Sequence, residues 1–354
     1  MTATHLEIMK FGSKSKGLFV DVAGDTLRLA VTTSSQPPFI IENLEAIAKD
    51  NLEAAAQRIR EMTGAKSNGY SQGICAVYPP NRIVARVAVD PRKFRDAEYL
   101  EKHVQETLKI EPANYSLFTL STTDGADVSV LPNPPKDILV CGAPTQELIA
   151  AQEGLLELGL YPDRLEIGTI AAIGGVKHNL ALTETKAPTL ILEIGAESTH
   201  VCVVTAEAVE VTRPIAYGLD AVMPQIQQEL GLKDEDAARK LFYSNTFDFT
   251  GMAPQLLKRI IRELQASIGF YEVQTGQSVT QLCCTQLPSA ASWVEKALAD
   301  ILGMKRFAIN FRSWLASMGI ECGPGVTIDN LDTSWTGLFS LMGNYAPTEN
   351  EAAA

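Results

Sequence analysis

Two carboxylates stand at matching places in this chain. The stretch "LILEIGAESTHVCVV", Leu190 to Val204, has an apolar run ending in Glu193, a turn Gly195–Ala196–Glu197–Ser198–Thr199, and a second apolar run. "LFVDVAGDTLRLAVT", Leu18 to Thr32, has the same plan: Asp21 aligns with Glu193, Ala23–Gly24 with Gly195–Ala196, and Asp25–Thr26 with Glu197–Ser198. The chemistry this supports is specific. Small residues let a turn close tightly and let a ligand approach its amides. Consecutive amides in such a turn form an anion-binding concavity. An acid at the end of the preceding strand can hold a hydrated Mg²⁺ beside that anion. One such hairpin reads most simply as an ordinary turn with solvated acids. Two in one chain read as a duplicated nucleotide-binding unit, gripping a nucleoside triphosphate from both sides.

The rest of the chain narrows the field. A length of 354 residues with 46% apolar content supports two or more domains with sizeable cores. A net charge of −12 argues against nucleic acid and against docking on anionic lipid. No apolar run is long enough to span a membrane, and "MTATHLEIMKFGSKSKG" lacks the apolar core of a secretion signal. The expectation is therefore a cytoplasmic protein with no direct membrane insertion. None of the cysteines is in C-x-x-C spacing, and Cys75, Cys141, Cys202, Cys283 and Cys284 lie in strand-like runs, so buried free thiols are expected. His5, His103, His178 and His200 have no metal-ligand spacing. There is no Walker loop or G-x-G-x-x-G.

The elements that must carry the hairpins can be read by periodicity. Leu44, Ile47, Ala48, Leu52, Ala55, Ile59 and Met62 predict one helix from Asn43 to Met62, capped by Asn43 and stopped by Gly64. "ICAVYPPNRIVARVAVD" reads as strand, Pro-Pro break, strand. "DAEYLEKHVQETL" and "TQELIAAQEGLLEL" read as helices, and "NYSLFTLSTT" and "DILVCGA" as strands. In "LLKRIIRELQASIGFYEVQTG" the apolar positions Leu257, Ile260, Ile261, Leu264 and Ile268 give a core-facing helix.

The paired hairpins resemble the phosphate-1 and phosphate-2 motifs of actin-like ATPases. The order of elements from about Lys14 to Tyr345 is similar to the PilM-like type IV pilus assembly proteins of the FtsA/PilM group, "LEIGAESTHVCVV" being the most specific piece. The resemblance implies an α/β chain with the actin-like ATPase fold: two RNase H-like halves around a cleft, with a 1C insertion. It places subdomain 1A at 14–91, 165–188 and 333–346, 1C at 92–164, 2A at 189–224 and 279–332, and 2B at 225–278. It implies a phosphate site at Asp21, Ala23, Gly24, Asp25, Thr26 and Arg28 and at Glu193, Gly195, Ala196, Glu197, Ser198 and Thr199, with Asp21 and Glu193 as metal-side acids only if Mg-nucleotide binds.

Four departures from the family pattern make that site look vestigial. Ala23 stands for a glycine, and Glu193 for an aspartate. Gly168–Thr169 replace Glu-Pro. Leu282, Cys283 and Cys284 occupy the glycine positions of the adenosine motif, ahead of Gln286–Leu287–Pro288. The expected cofactor is therefore none, or weak Mg-ATP, and no catalytic residue is assigned. By resemblance the partner is the cytoplasmic N-terminal tail of a PilN-like inner-membrane protein, in a groove between 1A and 1C bordered by Arg82–Val89. Other pilus platform proteins and further copies of the chain are also implied partners. The location would be peripheral at the inner membrane through that partner. The alternatives are an active ATPase of the FtsA type, which the closing "APTENEAAA" disfavours as it has no amphipathic face, and an actin-fold small-molecule kinase.

Overall fold

The structure, a computed structural model, describes residues 16–64, 69–244 and 246–343. The ends of the implied resemblance, Lys14 and Tyr345, and the opening and closing segments read above lie outside them.

The chain opens with β1 (Gly17–Ala23), β2 (Thr26–Thr32), β3 (Ile40–Ala48), α1 (Leu52–Thr63) and β4 (Ser71–Val77). Next come β5 (Ile83–Ala88), α2 (Ala97–Leu108), β6 (Tyr115–Ser121), β7 (Asp137–Pro144) and α3 (Thr145–Glu157). β8 (Leu160–Ile167) and α4 (Gly168–Leu182) lead into β9 (Thr189–Ile194), β10 (Thr199–Val204) and β11 (Val209–Ile215). Then follow α5 (Met223–Leu230), α6 (Glu235–Tyr243), α7 (Ala253–Leu256), α8 (Lys258–Thr275) and β12 (Gln281–Gln286). The last elements are α9 (Trp293–Leu302), β13 (Lys305–Arg306), α10 (Phe311–Ser317), β14 (Glu321–Cys322) and α11 (Thr336–Gly343).

Three sheets result. One has the order β14-β3-β2-β1-β4-β8, a second β11-β10-β9-β12-β13, and a third, smaller one β5-β7-β6. In the first, β1–β2 and β2–β3 are antiparallel while β1–β4 and β4–β8 are parallel. The second repeats that sequence of directions through β9–β10, β10–β11, β9–β12 and β12–β13. β3-β2-β1-β4-β8 and β11-β10-β9-β12-β13 are thus the same unit built twice, and the two halves are RNase H-like. α4 and α11 pack on each other against the first sheet.

The inserted sheet is antiparallel throughout and has its own core, in which Val104 of α2 meets Val87, Ile138 and Val140. It draws on β5, which lies before residue 92, while β8, beginning at Leu160, belongs to the first sheet.

One element differs from the sequence reading. The helix over 43–62 is two elements, β3 and α1. Leu44 packs on one core and Ile47 on another, as odd and even positions of a strand covered on both faces. Burial on both faces erases the two-residue alternation and leaves a three-residue spacing that imitates a helix. The true cap is Asn51, whose side chain accepts from the Ala54 amide at 3.0 Å. Gly64 ends the helix with φ +70°, as read.

Candidate functional site

β1 and β9 are equivalent strands, and each presents its acid close to its turn. Asp21 pairs in register with Arg28, and Glu193 with His200. Both acids are buried, at 0% and 1% exposure, so each needs a partner or a proton.

Glu193 has two partners. Arg82 Nη2 donates to its Oε2 at 2.7 Å. The Thr169 hydroxyl donates to the same oxygen at 2.6 Å. Arg82 Nε donates in turn to Thr169 Oγ1 at 2.6 Å, and Nη1 to the Pro79 carbonyl at 3.2 Å. The guanidinium lies 5.4 Å from the centre of the Tyr78 ring. Arg82 is itself buried. An opposite charge on three bonded contacts is what makes a buried carboxylate tolerable. The extra methylene of glutamate over aspartate serves the reach to Thr169 and Arg82. Beside this pair, burial and the Arg82 charge push the neighbouring His200 imidazole down to about 3.

Asp21 has less. Arg28 Nη1 is 3.9 Å away, and the Tyr78 hydroxyl is the other group that favours the charged carboxylate. Burial pushes its pKa up to about 7, with Arg28 opposing. Tyr78 stands beside it, its own hydroxyl driven well up by burial and by the Asp21 charge. A side chain at Gly337 would meet the Tyr78 hydroxyl and the Asp21 carboxylate at 3.0 and 3.2 Å, so glycine there lets α11 close over both.

The hairpin turns do come together. Gly24 from the first and Gly195, Ala196, Glu197 and Ser198 from the second line one cavity of about 930 Å³. Its other walls are Tyr78–Arg82, Leu52 at the start of α1, and Glu147, Ala151 and Leu155 of α3. Within the hairpins, Ala23 is buried, the Thr26 hydroxyl donates to Asp25 at 3.0 Å, and Thr199 donates to the Tyr217 carbonyl at 2.9 Å. Gly24 adopts φ +60°, and Lys49 Nζ donates to its carbonyl at 3.1 Å.

The altered adenosine positions look away from the cavity. Leu282 and Cys284 belong to the core of the second half, whereas Cys283 faces a separate core shared with α4 and the inserted sheet. The Cys284 amide donates to Glu295 Oε1 at 2.8 Å and its carbonyl accepts from Thr333 at 2.7 Å. The five cysteines expected to be buried are buried, all as free thiols.

Of the two acids expected to face a hydrated cation, Glu193 faces a guanidinium instead, and the Cys284 backbone is engaged with Glu295 and Thr333. Among the described residues there is no cluster of three or more metal-ligating side chains.

Sequence reading missed Tyr78, Arg82 and Glu147, and saw Gly168–Thr169 only as a departure. A lone arginine after Pro-Pro carries no periodic or motif signal. The outer edge of β5 is turned to β11, where the Arg86 amide donates to Thr212 Oγ1 at 2.8 Å and its guanidinium to Glu210 at 2.8 Å. The cavity beside the inserted module is bordered by Arg82 and α3.

The duplicated sheets and the facing hairpins define a class: the actin-like ATPase fold. Within it, the chain is similar to PilM as seen in the PilM–PilN type IV pilus biogenesis complex, with a TM-score of 0.67 and 17% identity over 95% of this chain and 100% of that one. At that identity the likeness is one of fold. Looser likenesses are to the cytoplasmic domain of EpsL, an inner-membrane component of the type II secretion system of Vibrio cholerae (TM-score 0.39, 13% identity, 82% of this chain and 96% of that one), and to the archaeal actin homolog Ta0583 (TM-score 0.40, 10% identity, 93% and 99%). No family model and no curated protein sequence matches the chain. Among the described residues no helix is long and apolar enough to cross a membrane.

Proposed function

We propose that this chain is a PilM-like scaffold of a type IV pilus or type II secretion-like inner-membrane platform. It captures the extended cytoplasmic tail of a bitopic, PilN-like membrane protein and does so without turning over ATP. The observation that carries this reading is the cavity walled by α3 of the inserted module and by the hairpin turns of both halves. At about 930 Å³ it is large enough for several side chains of an extended peptide. Val22, Val77, Ala151, Leu155 and Leu158 give it an apolar floor, with Glu147, Glu157 and Lys49 at the walls. The whole-chain likeness to a PilM determined with its PilN partner supports the same reading. The protein would then sit at the inner membrane through its partner.

The test is capture of a synthetic peptide, the N-terminal cytoplasmic tail of the bitopic protein encoded beside this chain. Binding is expected with the wild type and at least tenfold weaker with Ala151→Arg, which fills the floor of the cavity. Equal affinity of both proteins, or no binding by either, would refute the reading.

A further inference from the structure

The segment Tyr78–Arg82 joins β4 of the first sheet to β5 of the inserted one, and it is fastened on two sides. Arg82 reaches Glu193 of β9 in the second half. Asn81 is held by Glu147 of α3, through its amide to Oε2 at 3.0 Å and its side-chain Nδ2 to Oε1 at 2.6 Å. Tyr78 lies between the two acids, and the residue after β8 makes space for it: a Cβ at Gly168 would come within 2.2 Å of its ring. Thr169, the next residue, bonds both Arg82 and Glu193. The Gly168–Thr169 pair is therefore fitted to Tyr78 and Arg82.

We propose that Arg82 is a resident cation: it occupies the place beside Glu193 that a bound metal ion would take, and so locks the two duplicated halves together with no ligand present. The physical basis is competition. A divalent cation at Glu193 Oε2 would have to displace a positive charge that is covalently part of the same chain, and therefore present at an effective concentration of about millimolar or more. That charge is also held by Thr169 and the Pro79 carbonyl, so displacing it leaves a buried guanidinium unpaired. The lock lies in the segment that also walls the cavity, but the inference stands on the Arg82–Glu193 geometry and does not depend on what the cavity binds.

The experiment is a double-mutant cycle on the full chain, read by thermal melting with and without 10 mM MgCl₂ or Mg-ATP. Arg82→Ala and Glu193→Gln each lower Tm by roughly 4–7 °C, because each leaves the other polar group buried without its partner. The double variant loses clearly less than the sum of the two. Neither Mg²⁺ nor Mg-ATP shifts the wild type. If Arg82→Ala does not accumulate, Arg82→Lys in the same cycle supplies the coupling, since lysine keeps the charge but loses the guanidinium fork that reaches Thr169 and Pro79. Additive losses, or a wild-type Tm raised by Mg²⁺ or Mg-ATP, would overturn the proposal. Peptide capture by the wild type is scored separately, so failure of the lock and failure of the scaffold reading are distinct results.

Discussion

Asp21 is a buried acid whose nearest cation, Arg28, stands 3.9 Å away, and it leaves a thermodynamic signature. Its pKa in the folded protein is raised from 3.8 to about 7, burial being the larger cause. Between those values the folded state holds a proton that the unfolded state has released. Stability from Asp21 is thus full below about pH 4 and is lost as pH rises through 7, by up to about 4 kcal/mol. His200 acts the other way. Its folded pKa is lowered from 6.5 to about 3, so its contribution is full above 6.5 and is lost as pH falls toward 3. Asp21→Asn isolates the first effect. The variant should gain several degrees of Tm over wild type at pH 8, about a third of that at pH 5, and little or nothing at pH 4. A difference that does not change with pH would show that the carboxyl is not titrating there. Both acids were legible in the sequence as a matched pair. Their unequal states were not, because these are set by Arg82, Thr169 and Tyr78, which lie far from Glu193 in sequence and join it only through the fold.

At the scale of elements, the sequence was clearest where one face is wet. α2, α3 and α8 alternate apolar and polar positions with helical spacing, and their ends fall near the residues that periodicity and glycine mark. It misled where an element is covered on both sides, as β3 is by two cores. Cap chemistry was the signal that could have separated β3 from α1. Asn51 lies just before Leu52, whereas Asn43, taken as the cap, is in the middle of a strand paired with Val31. Two substitutions distinguish these roles. Asn51→Ala removes the bond to the Ala54 amide and should cost about 1 kcal/mol. Asn43→Ala removes no cap and should cost less than half as much. Urea melts of the two variants, compared at equal m-value, check the order. The cysteines extend the same logic to reactivity. Cys322 is half-buried while the others are closed in, and burial pushes Cys75 up to about 12. In the folded protein a thiol reagent should label Cys322 first and leave the rest until unfolding, which mass spectrometry of the labelled peptides would show.

For the molecule as a whole, the internal repeat was the strongest signal in the sequence, and it marks the strands that nucleate the two equivalent sheets. What the repeat could not convey is how the space between the halves is filled, since the segment Tyr78–Arg82 and Gly337 lie far apart in the chain and outside both repeats. That filling decides a test the sequence alone would have scored the other way. If side chains at the old glycine positions were what exclude a nucleotide, then Ala23→Gly, Glu193→Asp, Cys283→Gly and Cys284→Gly together should restore binding. The geometry predicts that they do not. Arg82 loses its reach to the shortened acid but keeps its bonds to Thr169 and the Pro79 carbonyl, and Glu295 and Thr333 still hold the Cys284 backbone. Cys283 and Cys284 fill two different cores, so the glycines open a cavity in each and loosen β12 as well, for a total of about 4 kcal/mol. A restored site at a thousand times its dissociation constant would return about 4 kcal/mol. The two outcomes are therefore well separated at millimolar Mg-ATP. A Tm far below wild type and indifferent to Mg-ATP is expected; recovery toward wild type on adding Mg-ATP, stronger than with Mg-GTP, would show that the glycine positions and not Arg82 close the site.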